Sequence, residues 1–214
     1  MHEIDFHQYR IPKHIPVMVT LHLPPSWYPD QIWNLSPNYR LQCVSETQRL
    51  ARPPETRERL SVIQNGIPTL TAPKSISKRK YALMLSRICT EKNLDAGLDA
   101  AREAGIPVVL GGEASPYEEH LRYLREQIEP RLGSGPCWQG SAAYWPGRIS
   151  GARKTRLLAA ARCLLIPTLA PETSSLVALE AIAAGRPIIA FRSGAIPVIV
   201  THGRTGFLVN MSQR

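Results

Sequence analysis

Residues 171–190 (PETSSLVALEAIAAGRPIIA) hold the arrangement best suited to chemistry, with Glu172 and Glu180 eight positions apart. An apolar strand over 163–167 runs into a loop carrying Glu172, and a helix over 174–184 carries Glu180. In α/β sheets, ligands collect beyond the carboxyl ends of the strands, where such loops lie. A helix N-terminus offers unpaired N–H groups and a partial positive charge, which suits a diphosphate. Thr173, Ser174 and Ser175 carry hydroxyls able to cap that helix or to meet a phosphate. Glu180 lies six residues past Ser174, ~9 Å along the axis at ~1.5 Å per residue. That offset suits a carboxylate holding ribose hydroxyls, with Glu172 on the loop side meeting a sugar beyond the diphosphate. The same spacing fits two glutamates that only decorate a helix start, and spacing alone leaves both readings open.

These residues need a frame, and the pattern supplies one. Strand-like and helix-like segments alternate, which predicts an α/β fold with a parallel sheet. Strands are predicted at 16–21, 41–44 and 61–63, then a Pro-, Ser- and Lys-rich linker over 72–80. After it come strands at 81–85, 106–110, 163–167, 187–191 and 206–209. Helices are predicted at 94–104, 117–132, 152–161 and 174–184. Gly111-Gly112 closes the second strand of this series, and residues 133–148 show no readable period. The expected organisation is an N-terminal part over 1–71, the linker, and a second domain over 81–214.

Composition narrows the function classes. With 43% hydrophobic residues the chain can build a packed core. Cys43, Cys89, Cys137 and Cys163 form no C-x-x-C pair and read as ordinary buried thiols of a reducing compartment, with no disulfide or metal role. No apolar run is long enough to span a bilayer, and residues 1–10 have no secretory h-region. The net charge of +9 is concentrated at 49–59 (RLARPPETRER) and 74–80 (KSISKRK). Neither run has the interleaved aromatics of a base-stacking surface, so nucleic acid is not the expected partner. A solvated face is the plainer reading, and an anionic membrane surface the other.

Residues 171–197 (PETSSLVALEAIAAGRPIIAFRSGAIP) resemble the E-x7-E region of the retaining glycosyltransferases of family 4, which have the GT-B fold. Other segments match that family in the expected order. They are 19–25 (VTLHLPP), 43–46 (CVSE), 62–67 (VIQNGI), 81–94 (YALMLSRICTEKNL), 108–112 (VVLGG), 147–158 and 193–209 (SGAIPVIVTHGRTGFLV). The resemblance implies a Rossmann-like C-terminal donor-binding domain and a partial Rossmann-like N-terminal domain. It implies transfer of a sugar, with retention, from a UDP- or GDP-sugar to an acceptor hydroxyl. Arg87 and Lys92 would hold the donor diphosphate, Arg87 by a bidentate fork and Lys92 by a compact positive charge; without the resemblance they read as an exposed basic pair before the helix over 94–104, where cations are disfavoured unless an anion sits among them. Glu180 would hold the ribose and Glu172 the donor sugar. His22, at the end of an apolar strand, would face that sugar from the other domain, although such a residue can also serve only the local structure. Thr173, Ser174, Ser175 and Leu176 at the helix start, with Gly111 and Gly112, would complete the donor site. The donor is a substrate, and no cofactor is implied. No metal is implied there either, since there is no D-x-D pair to clamp a cation on the diphosphate. The acceptor would be a sugar or a lipid-linked sugar, with peripheral contact at the inner face of a membrane and a cytoplasmic location.

Some positions depart from the family. Ser86 stands where a glycine is usual, Ser174-Ser175 where Phe-Gly is usual, and Val198 where an acid is common. The Gly-rich opening strand expected upstream of Pro16 has no counterpart, which predicts a truncated acceptor half. A non-catalytic remnant that only binds nucleotide sugar is therefore the alternative expectation.

Overall fold

The computed structural model describes residues 6–9, 11–68, 80–137 and 140–211. The predicted linker and the basic run at 74–80 lie, apart from Lys80, outside the described residues.

In the first part of the chain, β1 (Val17–Leu21), β2 (Tyr39–Cys43) and β3 (Leu60–Val62) pair in parallel in the order β1-β2-β3. Two short helices, α1 (Glu46–Leu50) and α2 (Pro54–Arg57), join β2 to β3. Ser45 starts α1 by accepting the Gln48 amide at 3.1 Å. Leu21, Ile32, Trp33, Cys43 and Leu60 form the core beneath the sheet.

The second sheet is built from β4 (Ala82–Leu85), β5 (Val108–Gly111), β6 (Ala143–Tyr144), β7 (Cys163–Ile166), β8 (Ile188–Phe191) and β9 (Gly206–Val209). All pair in parallel in the order β6-β5-β4-β7-β8-β9. α3 (Leu94–Glu103) and α4 (Glu118–Tyr123) cover one face. α5 (Gly151–Ala160), α6 (Leu176–Ala183) and α7 (Ile196–Ile199) cover the other. Strands covered on both faces read as unbroken apolar runs, as ALML and CLLI do. The strand order reverses between β4 and β7, the topological switch point of a Rossmann-like sheet.

The predicted helix over 117–132 is broken. α4 ends at Tyr123, a π-turn follows over Leu124–Ile128, and a 3-10 turn closes over Glu129–Arg131. Pro130 explains the break: it has no N–H to donate, and its ring clashes with the carbonyl one turn back. β6 lies inside the stretch without a readable period, and α7 was not anticipated; both are too short to show a period. Helix α6 begins at Leu176, two residues later than expected. Among the described residues, no helix is long and apolar enough to cross a membrane.

Candidate donor site

The carboxyl ends of β4 and β5 and the start of α6 enclose a cavity of about 610 Å³. Leu85, Ser86 and Arg87 line it from β4, Gly111 and Gly112 from β5, and Leu176, Val177 and Glu180 from α6. The floor depends on Gly112, where a Cβ would lie 1.7 Å from the Ser86 carbonyl oxygen. Only glycine lets the two strand ends approach so closely. The first-turn amides of α6 at Leu176 and Val177 have no intrahelical partners, and both residues face this space. Arg87 is exposed and lies 3.7 Å from the Glu91 carboxylate. Burial works against ionisation of Glu91. Its own backbone amide, the Cys89 thiol, Arg87 and His120 together still hold its carboxyl below the usual range.

Glu180 projects from α6 with its Oε1 2.6 Å from the Lys154 ammonium of α5. Arg148 lines the same cavity. Sequence reasoning missed Lys154 and Arg148. Lys154 is 26 positions from Glu180, and only the packing of α5 against α6 brings them together.

Glu172 and Lys92 do not line the cavity; they pair beside it, across the switch point. Lys92 donates to Glu172 Oε1 at 2.5 Å, and both side chains are largely shielded from water. The loops that carry them are fixed by backbone bonds. The Glu91 carbonyl accepts the amides of Leu169 at 3.0 Å and Ala170 at 3.3 Å. The Glu172 carbonyl accepts the Ala195 amide at 2.7 Å. Gly194 (φ +53°) lies so close to the Glu172 backbone that a Cβ would fall 2.1 Å from its carbonyl oxygen.

The expected hydroxyls behave differently. Thr173 precedes the helix, and its Oγ1 donates to the His22 carbonyl at 2.7 Å instead of capping. Ser175 occupies the N-cap position, but its side chain makes no capping bond; its carbonyl starts the helix by accepting Ala178 and Leu179. Thr173, Ser174 and Ser175 therefore lie outside the lining, because the helix starts later than its hydroxyl-rich prelude suggested. Leu176 instead forms an apolar wall.

His22 follows β1 and is pinned by its neighbours. Tyr28 Oη accepts its amide at 3.0 Å. The buried Gln48 amide donates to the carbonyls of Leu21 at 2.9 Å and Leu23 at 2.8 Å, on either side of it. Thr173 ties this corner of the first sheet to the Glu172 loop.

A Rossmann-like switch point lined with cations, small residues and a helix start is a nucleotide-binding geometry. Residues 79–213 match the family "Glycosyl transferases group 1", and the chain belongs to that family. It is 31% identical to the sulfoquinovosyl transferase SQD2 of Arabidopsis thaliana over 165 residues, covering 74% of this chain and 27% of that protein. It is 33% identical to a D-inositol 3-phosphate glycosyltransferase of Corynebacterium jeikeium over 103 residues, covering 48% of this chain and 23% of that one. The chain thus spans about a quarter of the length of these curated relatives. Anabaena HepE in complex with UDP-glucose superposes with a TM-score of 0.72 at 21% identity, covering 91% of this chain and 58% of that one. The pneumococcal O-GlcNAc transferase GtfA, in complex with UDP and GlcNAc, gives 0.68 at 17% identity, covering 94% of this chain and 42% of that one. These likenesses establish the fold as the Rossmann-like α/β architecture of the GT-B glycosyltransferases.

Proposed function

We propose that this chain carries the donor half of a family 4 glycosyltransferase, which moves a sugar with retention from a UDP- or GDP-sugar to an acceptor hydroxyl. The observation that carries the reading is the cavity joining Arg87, Gly112, the first turn of α6 and the Glu180–Lys154 pair at the switch point. In the reaction, the bond from the anomeric carbon to the diphosphate oxygen breaks as the acceptor oxygen bonds to that carbon. The acceptor proton passes to the departing diphosphate oxygen, and the remaining negative charge of that group must be stabilised. Arg87 and Lys92 supply the cations, and the amides of Leu176 and Val177 supply N–H donors. Glu180 accepts the ribose hydroxyls, and Glu172 accepts hydroxyls of the donor sugar. His22 faces that sugar from the first sheet, whose contact with Thr173 supports the placement.

On this reading, residues 1–71 form the acceptor side, 72–80 the linker and 81–214 the donor side. The acceptor is a sugar or lipid-linked sugar at the cytoplasmic face of a membrane, a setting that the net charge of +9 favours. To test this, the protein is titrated with UDP and GDP and incubated with their sugars plus lipid and sugar acceptors. The anomeric configuration of any product is read by NMR. Saturable binding of one nucleoside diphosphate and a product of unchanged configuration are expected. An inverted product overturns retention. Failure to bind either nucleotide overturns the donor site. Binding without transfer to any acceptor favours the non-catalytic alternative.

A further inference from the structure

Next to the donor cavity but outside its lining, three metal-ligating side chains of different chemistry converge. Cys89, Glu91 and His120 place one donor atom each within 4.8 Å of one another. Cys89 and Glu91 come from the turn between β4 and α3, and His120 comes from the first turn of α4. The Cys89 thiol is buried, whereas Glu91 and His120 are half-exposed, so the cluster has a closed side and a side open to solvent. The buried His120 Nδ1 has no hydrogen-bond partner. The Tyr117 ring packs edge-on against the imidazole, its centroid 5.5 Å away, and helps fix its plane. Arg87 and Lys92 are the cations facing the cluster; Arg87 stands 3.7 Å from the Glu91 carboxylate.

We infer that Cys89, Glu91 and His120 form a binding site for a single Zn²⁺-class ion. Sulfur, imidazole nitrogen and carboxylate oxygen together are a borderline-soft set; Mg²⁺ and Ca²⁺ select oxygen alone. Three protein ligands leave the fourth tetrahedral position to water on the open side. Zn²⁺ bond lengths of ~2.0 to 2.3 Å place tetrahedral donors about 3.5 Å apart. The side chains must therefore close by about 1 Å, which rotation of the half-exposed Glu91 and His120 supplies. Binding releases the thiol proton: Cys–SH and M²⁺ give the Cys–S⁻–M²⁺ bond and H⁺. Affinity therefore rises with pH. The ion also competes with Arg87 for the Glu91 carboxylate, so the site adjoins the donor cavity electrostatically as well as in space. Cys89 is then not the ordinary thiol that its spacing suggested.

The test uses the whole chain, tag-free, reduced and stripped with EDTA, titrated with Co²⁺ in the absence of nucleotide; its outcome is thus independent of the donor-site reading. The expected result is a thiolate-to-cobalt charge-transfer band that saturates at about one equivalent, is displaced by Zn²⁺ and is unaffected by excess Mg²⁺. Cys89→Ser abolishes that band, and His120→Gln weakens binding about tenfold or more. Because Cys89 is buried, the half-exposed His120→Gln variant keeps the test decisive if Cys89→Ser folds poorly. Absence of a saturable band overturns the site. So does a band of unchanged strength and midpoint in His120→Gln, which would assign the metal to other thiols.

Discussion

The Lys154–Glu180 pair gives the most direct test of how the donor cavity is held. Lys154→Met keeps most of the stem and removes the charge; Glu180→Gln keeps the shape and removes the anion. The contact is 2.6 Å, with Glu180 13% and Lys154 32% exposed. A fully exposed pair contributes ~0.2 to 1 kcal/mol. A hydrogen bond to a charged group contributes ~1.5 to 3 kcal/mol. With one partner shielded and the other a third open to water, a coupling of ~1 to 2 kcal/mol is expected. Lys154→Met should lower the melting temperature by about 2 to 8 °C, at ~2 to 4 °C per kcal/mol for a chain of this size. It should also weaken UDP binding, because the remaining carboxylate loses the group that aims it. Denaturant unfolding of the wild type, both single variants and the double variant closes the cycle. Losses that add to within ~0.3 kcal/mol would mean that the pair is uncoupled, and the reasoning fails.

Arg87→Lys should weaken UDP or GDP binding while leaving binding of the bare nucleoside unchanged, since a point charge cannot reproduce the guanidinium fork; calorimetry with both ligands decides. Glu180→Gln should cost free UDP or GDP ~10-fold or more in affinity and Glu172→Gln much less, because the free nucleotide has ribose but no sugar; equal or reversed losses would refute the assignment. Burial pushes the Cys43 thiol up to about 11 and the Cys89 thiol up to about 12. At pH 8 the thiolate fractions are then on the order of 10⁻³ and 10⁻⁴, against ~0.2 for a free thiol of pKa ~8.5. Thiol-reagent labelling of the folded protein should thus be slowed ~10² to 10³-fold relative to the unfolded chain and accelerate as pH rises, and rapid labelling of Cys89 at pH 8 would contradict it.

Most of the frame was legible because a parallel sheet buries its strands on both faces. Runs such as VVLG and CLLI have no other easy home, and each lies within a residue or two of its expected place. What escaped was short or interrupted. β6 has two residues, and its place beside β5 depends on pairing rather than on its own pattern. The helix over 117–132 keeps an apolar face past Tyr123, so its period hid the break that Pro130 imposes. Of the residues expected at a donor site, Arg87, Gly111, Gly112, Leu176 and Glu180 share one cavity. Thr173, Ser174 and Ser175 lie outside that cavity, and Ser175 at the N-cap position makes no side-chain cap, because a hydroxyl-rich entrance does not by itself fix where a helix begins.

The largest gap between sequence and site lies in what holds the two glutamates. Each is held by a lysine from another element: Glu172 by Lys92 at 2.5 Å and Glu180 by Lys154 at 2.6 Å. No local pattern links residues that are 80 and 26 positions apart. The pairing has a physical consequence for ligand binding. A carboxylate oxygen has two lone pairs, and an ammonium has three N–H donors, so one contact uses up neither group. A sugar or ribose hydroxyl can donate to the glutamate while the lysine turns a second N–H towards a phosphate. The charge pair then need not be broken for the donor to bind. On the proposed donor reading, the pair would orient the acid in advance and bring a cation to the leaving diphosphate, which would reduce the reorganisation left to the reaction itself.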